Sequence, residues 1–241
     1  MGINLKSVLL LGSTTMVAAL VPNCAPGGNL DLSKFSLQLP TGSPGNPTQI
    51  SASKLNGCNG FQDEWFSTSK SDGTVVFKVP DSSTCVTTKN SKHCRSELRE
   101  SSPASWSPNS ATNRLFADLK VTQAGSGSIC VGQIHIDDKV SVRPVAELYY
   151  HPDGELTIGV EKTRAGGNQK PFPVDRVTPG ARFTYEIRYE KNVLSVSVNG
   201  KAAKTFTTFE LNAPPSYFKA GNYNQGSDAT EVHFYNIRIT H

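Results

Sequence analysis

Three short segments of the sequence place chemically active side chains at alternate positions. They are residues 95–99, 133–136 and 217–225. Successive side chains of a β-strand point to opposite faces, so each segment, as a strand, would present its active groups on one face. These groups are Arg95, Glu97 and Arg99 in the first segment, Gln133 and His135 in the second, and Tyr217, Lys219, Tyr223 and Gln225 in the third.

What these groups can do depends on whether the three faces meet. Side by side in one sheet, they would line a wet groove of net positive charge that suits an extended polar anion such as an acidic polysaccharide. Taken singly, they are more typical of a solvated sheet surface with cross-strand ion pairs, of a structural histidine, and of Tyr and Lys side chains reaching solvent. The sequence does not show the strand order, so both interpretations stay open at this level.

The elements that must position these groups have a hydrophobic period of two. Residues 183–190 alternate strictly between apolar or aromatic and polar side chains, and turn signals such as Asn199-Gly200 separate the runs. Past Asp31 no segment has a convincing helical period. The pattern predicts an all-β fold with a single domain of two packed antiparallel sheets, and a loop over the Gly- and Pro-rich residues 41–47.

Composition excludes several classes of protein. Of 241 residues, 37% are hydrophobic and 18% charged, which supplies enough apolar material for a core and too little charge for a disordered chain. The net charge of +4 is small and is not clustered, so the sequence argues against a nucleic-acid-binding protein. A polyanion remains a possible partner if a few cations converge.

Residues 1–20 are predicted to be a secretory signal peptide. Lys6 supplies the positive start, an apolar stretch begins at Val8, and small residues around Ala18 and Ala19 precede Leu20. The stretch is too short and too interrupted to span a membrane. We therefore expect residues 21–241 to form one soluble, secreted domain without membrane contact.

The five cysteines agree with an oxidising compartment. Cys85 and Cys94 flank a short polar segment and are predicted to close it, which leaves Cys24 and Cys58 as the second pair. Cys130 lies in an apolar strand pattern and is expected to be a buried free thiol. The spacing matches no paired zinc-binding pattern, so no metal site is predicted.

The three segments resemble the alginate lyases of polysaccharide lyase family 7. That family is marked, in this order, by an R-S/T-E-L-R strand, a Q-I/V-H strand and a Y-x-K-A-G-x-Y-x-Q strand, and residues 95–99, 133–135 and 217–225 match all three. The resemblance covers the chain from about Asp31 onward. It implies a β-jelly roll whose concave sheet forms the substrate groove. It also implies β-elimination in alginate, without a cofactor and by a monomer.

The resemblance also implies roles for individual residues. Arg95 and Gln133 would neutralise the uronate carboxylate, while His135 and Tyr223 would transfer the protons. The same resemblance implies that five further residues bind substrate: Glu97, Arg99, Lys219, Asn224 and Gln225. Endo action and 4,5-unsaturated uronate ends are expected.

Three rival functions remain at this level. A glycoside hydrolase needs two carboxylates beside the scissile bond, and the sequence predicts only Glu97 on the active face. A non-catalytic carbohydrate-binding sandwich would explain a groove but not the joint presence of His135 and Tyr223. A lyase acting on another polyuronate, such as glucuronan, would share the mechanism.

Overall fold

The computed structural model describes residues 19–167 and 169–241, so most of the predicted signal peptide lies outside the described residues. Two helices are single turns, α1 Pro26–Asn29 and α2 Ala52–Leu55. Fifteen strands make up the rest of the regular structure: β1 Phe35–Ser43, β2 Asn46–Ile50, β3 Phe66–Thr68, β4 Val75–Val79, β5 Arg95–Glu100, β6 Arg114–Gln123, β7 Ile129–Ile136, β8 Pro144–Tyr150, β9 Glu155–Val160, β10 Lys170–Arg176, β11 Phe183–Glu190, β12 Val193–Val198, β13 Lys204–Phe206, β14 Ser216–Asn224 and β15 Thr230–Thr240. None of the described helices is long enough to cross a membrane.

The strands form two antiparallel sheets, as the period-two pattern predicts. The eight-stranded sheet has the order β10-β9-β8-β7-β14-β5-β1-β2, and the seven-stranded sheet the order β13-β12-β11-β6-β15-β4-β3. In the first sheet β14 lies between β5 and β7 and pairs antiparallel with both. This order brings the three polar segments together, which the sequence alone does not show.

The core lies between the two sheets and is built from the apolar half of each alternating strand. In β11, Phe183, Tyr185, Ile187 and Tyr189 are buried while their neighbours are only partly covered. The Tyr185 hydroxyl crosses to the other sheet and donates to the Val131 carbonyl at 2.7 Å. A side chain at Gly132 would put a Cβ 2.3 Å from that hydroxyl, so glycine is required there. This contact holds β7 against β11 at the two residues immediately before Gln133.

The predicted loop over residues 41–47 is wrong, because the segment is a β-hairpin. Strand β1 runs to Ser43, β2 begins at Asn46, and the two pair across the turn. Glycine makes this possible: Gly42 and Gly45 have φ of 127° and 77°, a region that other residues rarely occupy. The hairpin extends the eight-stranded sheet by one further strand beyond β1.

Both predicted disulfides are confirmed. Cys24 is bonded to Cys58 and Cys85 to Cys94, and Cys130 is a buried free cysteine. The Cys85–Cys94 bridge closes a loop over residues 86–93 that ends immediately before β5. The loop is thereby anchored beside the first polar segment.

One buried carboxylate depends on the last residue of the sequence. Glu100 is fully buried and accepts hydrogen bonds from Trp106 Nε1 and the Phe218 amide, both at 2.9 Å. His241 Nε2 lies 2.5 Å from the other Glu100 oxygen, and its Nδ1 lies 2.9 Å from Asn113 Oδ1. A buried polar group that loses a partner is costly.

Replacing His241 with alanine is therefore expected to lower the free energy of unfolding by about 1–3 kcal/mol. Denaturant unfolding of the variant and the parent measures the change. His241→Gln retains an N–H donor for Glu100 and should lose less. An alanine variant as stable as the parent would show that His241 contributes nothing to this cluster.

Candidate active site

Most of the predicted groups line one cavity of about 520 Å³ over the eight-stranded sheet, a size typical of ligand sites. Its walls come from β1, β2, β5, β7, β8 and β14 and from the loops beside them. Among its lining residues are the cations Arg95, Arg99, Arg143 and Lys219, the rings of His135, Tyr217 and Tyr223, the amides Gln38, Gln49, Asn90, Gln133 and Gln169, and the carboxylates Asp138, Glu147 and Glu161.

Strand register places the groups of the central strand opposite those of its neighbours. Lys219 pairs with Arg99 on one side and with Gln133 on the other, and Tyr223 pairs with Arg95. Between them Gly221 has φ of 152°, and a Cβ there would lie 2.6 Å from the Ser96 carbonyl oxygen. Glycine is thus needed for the close approach of β14 to β5 at the centre of the site.

Glu97 lies at the base of the site and organises its cations. The carboxylate is fully buried and accepts from Arg95 Nη1 at 2.9 Å, Lys219 Nζ at 2.5 Å and Gln133 Nε2 at 2.5 Å. Burial alone would raise the pKa of Glu97, but the charges on Lys219 and Arg95 outweigh it and hold the pKa below its ordinary value. Glu97 therefore stays ionised and holds three donors in place.

Arg95 keeps donors available above this carboxylate. Only Nη1 is bonded to Glu97, and the guanidinium carbon lies 3.6 Å from the centre of the Tyr223 ring. Within residues 19–167 and 169–241, the buried Nε of Arg95 has no hydrogen-bond partner. Buried donors are nearly always paired, so this atom indicates a site for an acceptor from outside the chain.

His135 is held as a neutral imidazole. Its Nδ1 lies 2.8 Å from the Ile136 carbonyl oxygen, which can only accept, so Nδ1 carries the proton and Nε2 has a free lone pair. Burial, with the positive charge of Lys219, lowers the pKa of His135 to about 4. The ring stacks on Tyr217 with a centroid distance of 5.0 Å. His135 can thus accept a proton through Nε2.

Tyr223 is held in the opposite protonation state. Burial raises the pKa of its hydroxyl, an effect that the charge of Arg95 offsets only in part. The hydroxyl oxygen lies 3.0 Å from Ser91 Oγ on the loop closed by the Cys85–Cys94 disulfide. Near neutral pH the phenol is therefore protonated and can donate.

Arg99 lies on β5 two residues beyond Glu97 but is paired with a different carboxylate. It donates to Asp138 at 2.7 Å and lies over the Tyr217 ring, 4.1 Å from its centre. The Tyr217 hydroxyl donates to the other Asp138 oxygen at 3.0 Å. Lys219, rather than Arg99, is the second cation on Glu97, because Arg99 lies farther along β5.

The expectation that Glu97 is the only carboxylate of the active face is wrong. Glu147 on β8 is buried opposite Gln133, accepts from the Tyr149 hydroxyl at 2.8 Å and accepts from Gln169 Nε2. Burial raises the pKa of Glu147 despite these two hydrogen bonds. With Asp138 also lining the cavity, carboxylates as well as cations face the groove, so its charge is mixed instead of uniformly positive.

Besides the fully buried Glu97, two predicted binding residues lie apart from the cavity lining. The Asn224 side chain is buried in the turn after β14, where it donates to the Asp228 carbonyl at 2.7 Å and accepts from the Gly226 amide. Gln225 donates to the Tyr223 carbonyl at 3.1 Å. Both support the end of the strand that carries Tyr223, and the structure gives neither a contact with the cavity.

Several cavity residues are missed by the motifs. Gln38 has a sequence signal, because it alternates with the buried Leu37 and Leu39 in β1. Ser91 and Asp138 have none, because their positions depend on how two loops fold back over the sheet. Strand alternation predicts the floor of the site but not its walls.

Comparison with known proteins decides the family. Residues 30–241 match the family model described as alginate lyase. The chain belongs to the alginate lyase family. As the resemblance implies, this alginate lyase is a polysaccharide lyase.

Individual relatives agree with this assignment. The alginate lyase of Klebsiella pneumoniae is 27% identical, with 92% of each chain covered. Among solved structures, alginate lyase A1-II′, a member of polysaccharide lyase family 7, is 32% identical with a TM-score of 0.77, covering 90% of this chain and 98% of that one. An alginate lyase from Pseudomonas aeruginosa is 29% identical with a TM-score of 0.76, covering 88% and 99%. These matches confirm the jelly-roll fold.

Proposed function

We propose that this alginate lyase is a secreted, endo-acting enzyme that cleaves by β-elimination and leaves 4,5-unsaturated uronate ends. One observation carries the proposal: a neutral His135 with a free Nε2 and a protonated Tyr223 line the same cavity as Arg95. An imidazole ready to accept a proton and a phenol ready to donate one are the two groups that elimination needs.

The carboxylate beside the reacting carbon is the main obstacle to this reaction. A base removes the proton at C5, next to the uronate carboxylate, and the glycosidic oxygen at C4 leaves. Proton removal builds a second negative charge beside the first. Arg95 and the amide of Gln133 supply donors for that charge, in a buried setting where electrostatic stabilisation is strongest. No cofactor is required by this scheme.

His135 and Tyr223 divide the proton transfers according to the geometry of the sugar. In guluronate the C5 proton and the leaving oxygen are anti, so His135 acts as base and Tyr223 as acid from opposite sides of the ring. In mannuronate the two groups are syn, and Tyr223 serves as both. Arg99 and Lys219 bind neighbouring uronate groups, while Glu97 acts by holding Arg95, Lys219 and Gln133.

The extent of the cavity supports endo action. Its lining runs from Gln49 on β2 to Glu147 on β8, five strand spacings or roughly 24 Å apart. A polymer can lie across these strands with residues on both sides of the cleaved bond. The proposal also includes removal of residues 1–20 as a signal peptide and secretion of the protein. The secreted enzyme is a monomer with a single catalytic domain over residues 21–241. Two disulfides are consistent with an extracellular location.

A panel of four polymers tests the proposal. The protein is incubated with alginate, polymannuronate, polyguluronate and glucuronan, and both ultraviolet absorbance of unsaturated ends and product size are followed. Absorbance with alginate and an early spread of intermediate oligomers is expected. Cleavage of glucuronan alone would identify a different polyuronate lyase, and binding without cleavage would identify a carbohydrate-binding module.

The pH dependence of activity should reflect the environment of His135. The imidazole must be neutral to accept the C5 proton. We therefore expect kcat/KM to stay constant as the pH falls through 6.5, the ordinary histidine pKa, and to decline only as the pH approaches about 4. Because uronate carboxyls also titrate at low pH, an NMR titration of the His135 ring without substrate provides the matched measurement. A ring midpoint near 6.5 would contradict the assigned environment.

A further inference from the structure

Beyond Arg95, the cavity continues over two glutamines of β1 and β2. Gln38 is the register partner of Glu97 on one side and of Gln49 on the other. Leu37 and Leu39 face the core, so Gln38 faces the cavity. Gln49 also lines the cavity, at the edge of the sheet.

The Gln38 carboxamide has a hydrogen-bond donor without an acceptor. Its Nε2 is buried and, in the part of the chain that the structure describes, has no partner. The buried Nε of Arg95 is in the same condition on the neighbouring strand. Buried donors of this kind are normally paired, so the two unpartnered N–H groups indicate acceptors that arrive with a ligand.

The loop over residues 86–93 forms a wall beside this pair. The Val86 amide donates to the Pro40 carbonyl at 2.7 Å, and Thr88 forms an isolated bridge with Gly45 at the β1–β2 turn. Thr88 and Asn90 line the same cavity. The residues that line the cavity beyond Arg95 are thus neutral and polar, in contrast to the cations around Glu97, while Lys89 of the loop lies beside Gly45 at the turn.

We infer that Gln38, with Gln49 beside it, forms a subsite for the uronate residue next to the one that is cleaved. The carboxylate and hydroxyl oxygens of a uronate are acceptors that match the free Gln38 donor. Neighbouring strands lie about 4.8 Å apart, so Gln49 is roughly 10 Å from β5, beyond the sugar held at Arg95. The inference rests on the proposed function, since it takes Arg95 as the site of cleavage.

Binding of oligouronates of increasing length tests the subsite. Affinities are measured by calorimetry in Tyr223→Phe protein, which prevents turnover, with and without Gln38→Leu. Gln38→Leu is expected to weaken binding about three- to tenfold for oligomers long enough to reach the subsite, and to leave shorter ones unchanged. Gln62→Leu, an exposed glutamine that does not line the cavity, is the matched control.

The outcomes separate the inference from the proposed function. Unchanged affinity at every length would overturn the subsite, and so would an equal loss at every length, which would mean that Gln38 acts through the Arg95 and Glu97 cluster. Production of unsaturated ends by the parent protein decides the proposed function separately. Length-dependent binding without such ends would retain Gln38 as a sugar-binding residue and overturn the elimination.

Discussion

Replacing Tyr223 with phenylalanine should lower kcat on alginate by about 10²–10⁴-fold, the usual contribution of a proton-transferring side chain. The change removes one oxygen and keeps the ring that lies under the Arg95 guanidinium at 3.6 Å. The fold and the position of Arg95 should therefore persist. Initial rates of unsaturated-end formation measure the loss, and thermal unfolding checks that the variant is folded.

Two other tyrosines provide controls for this substitution. Tyr217→Phe removes a hydroxyl from the same strand and the same cavity, but that hydroxyl donates to Asp138, so a far smaller loss is expected. Tyr235→Phe alters the seven-stranded sheet, where the ring lies under Arg182, and should leave the rate unchanged. Near-parental activity in Tyr223→Phe would refute the proposed acid.

Replacing Arg95 with alanine should reduce kcat by about 10²–10³-fold, with a smaller change in KM. The substrate carboxylate is charged before and during the reaction, but the second charge exists only in the transition state, so the lost donors matter most there. Glu97 keeps Lys219 and Gln133 as partners in the variant. Steady-state kinetics on alginate separate the two parameters.

The control for Arg95 must separate charge from geometry. Arg95→Lys keeps a cation but loses the planar group with several donors, so it should recover little of the lost rate. Arg176→Ala removes an exposed ion pair with Asp153 and should have no effect on turnover. A rise in KM alone in Arg95→Ala would mean that Arg95 binds substrate without stabilising the transition state.

The strands and the floor of the site could be predicted from the sequence because both follow from the alternation of side chains. In β7, Gln133 and His135 face the cavity while Ile134 and Ile136 are buried, as their spacing requires. Local periodicity is enough to predict such features.

The rest depends on contacts distant in sequence. Asp138 pairs with Arg99 across 39 positions, and Ser91 contacts Tyr223 across 132. Neither follows from local periodicity, since loop closure and strand order decide both. Gln225 shows the converse: its motif match is clear, yet its side chain donates to the Tyr223 carbonyl and does not line the cavity.

Elimination in this groove is tested most directly by counting the ends formed from alginate. Unsaturated ends are measured by ultraviolet absorbance and reducing ends by a chemical assay in the same reaction. We expect one unsaturated end for each new reducing end in the parent protein, and a matching loss of both kinds of end in Tyr223→Phe. Reducing ends without unsaturated ends would indicate hydrolysis and contradict the assignment of His135 and Tyr223 as an eliminating pair.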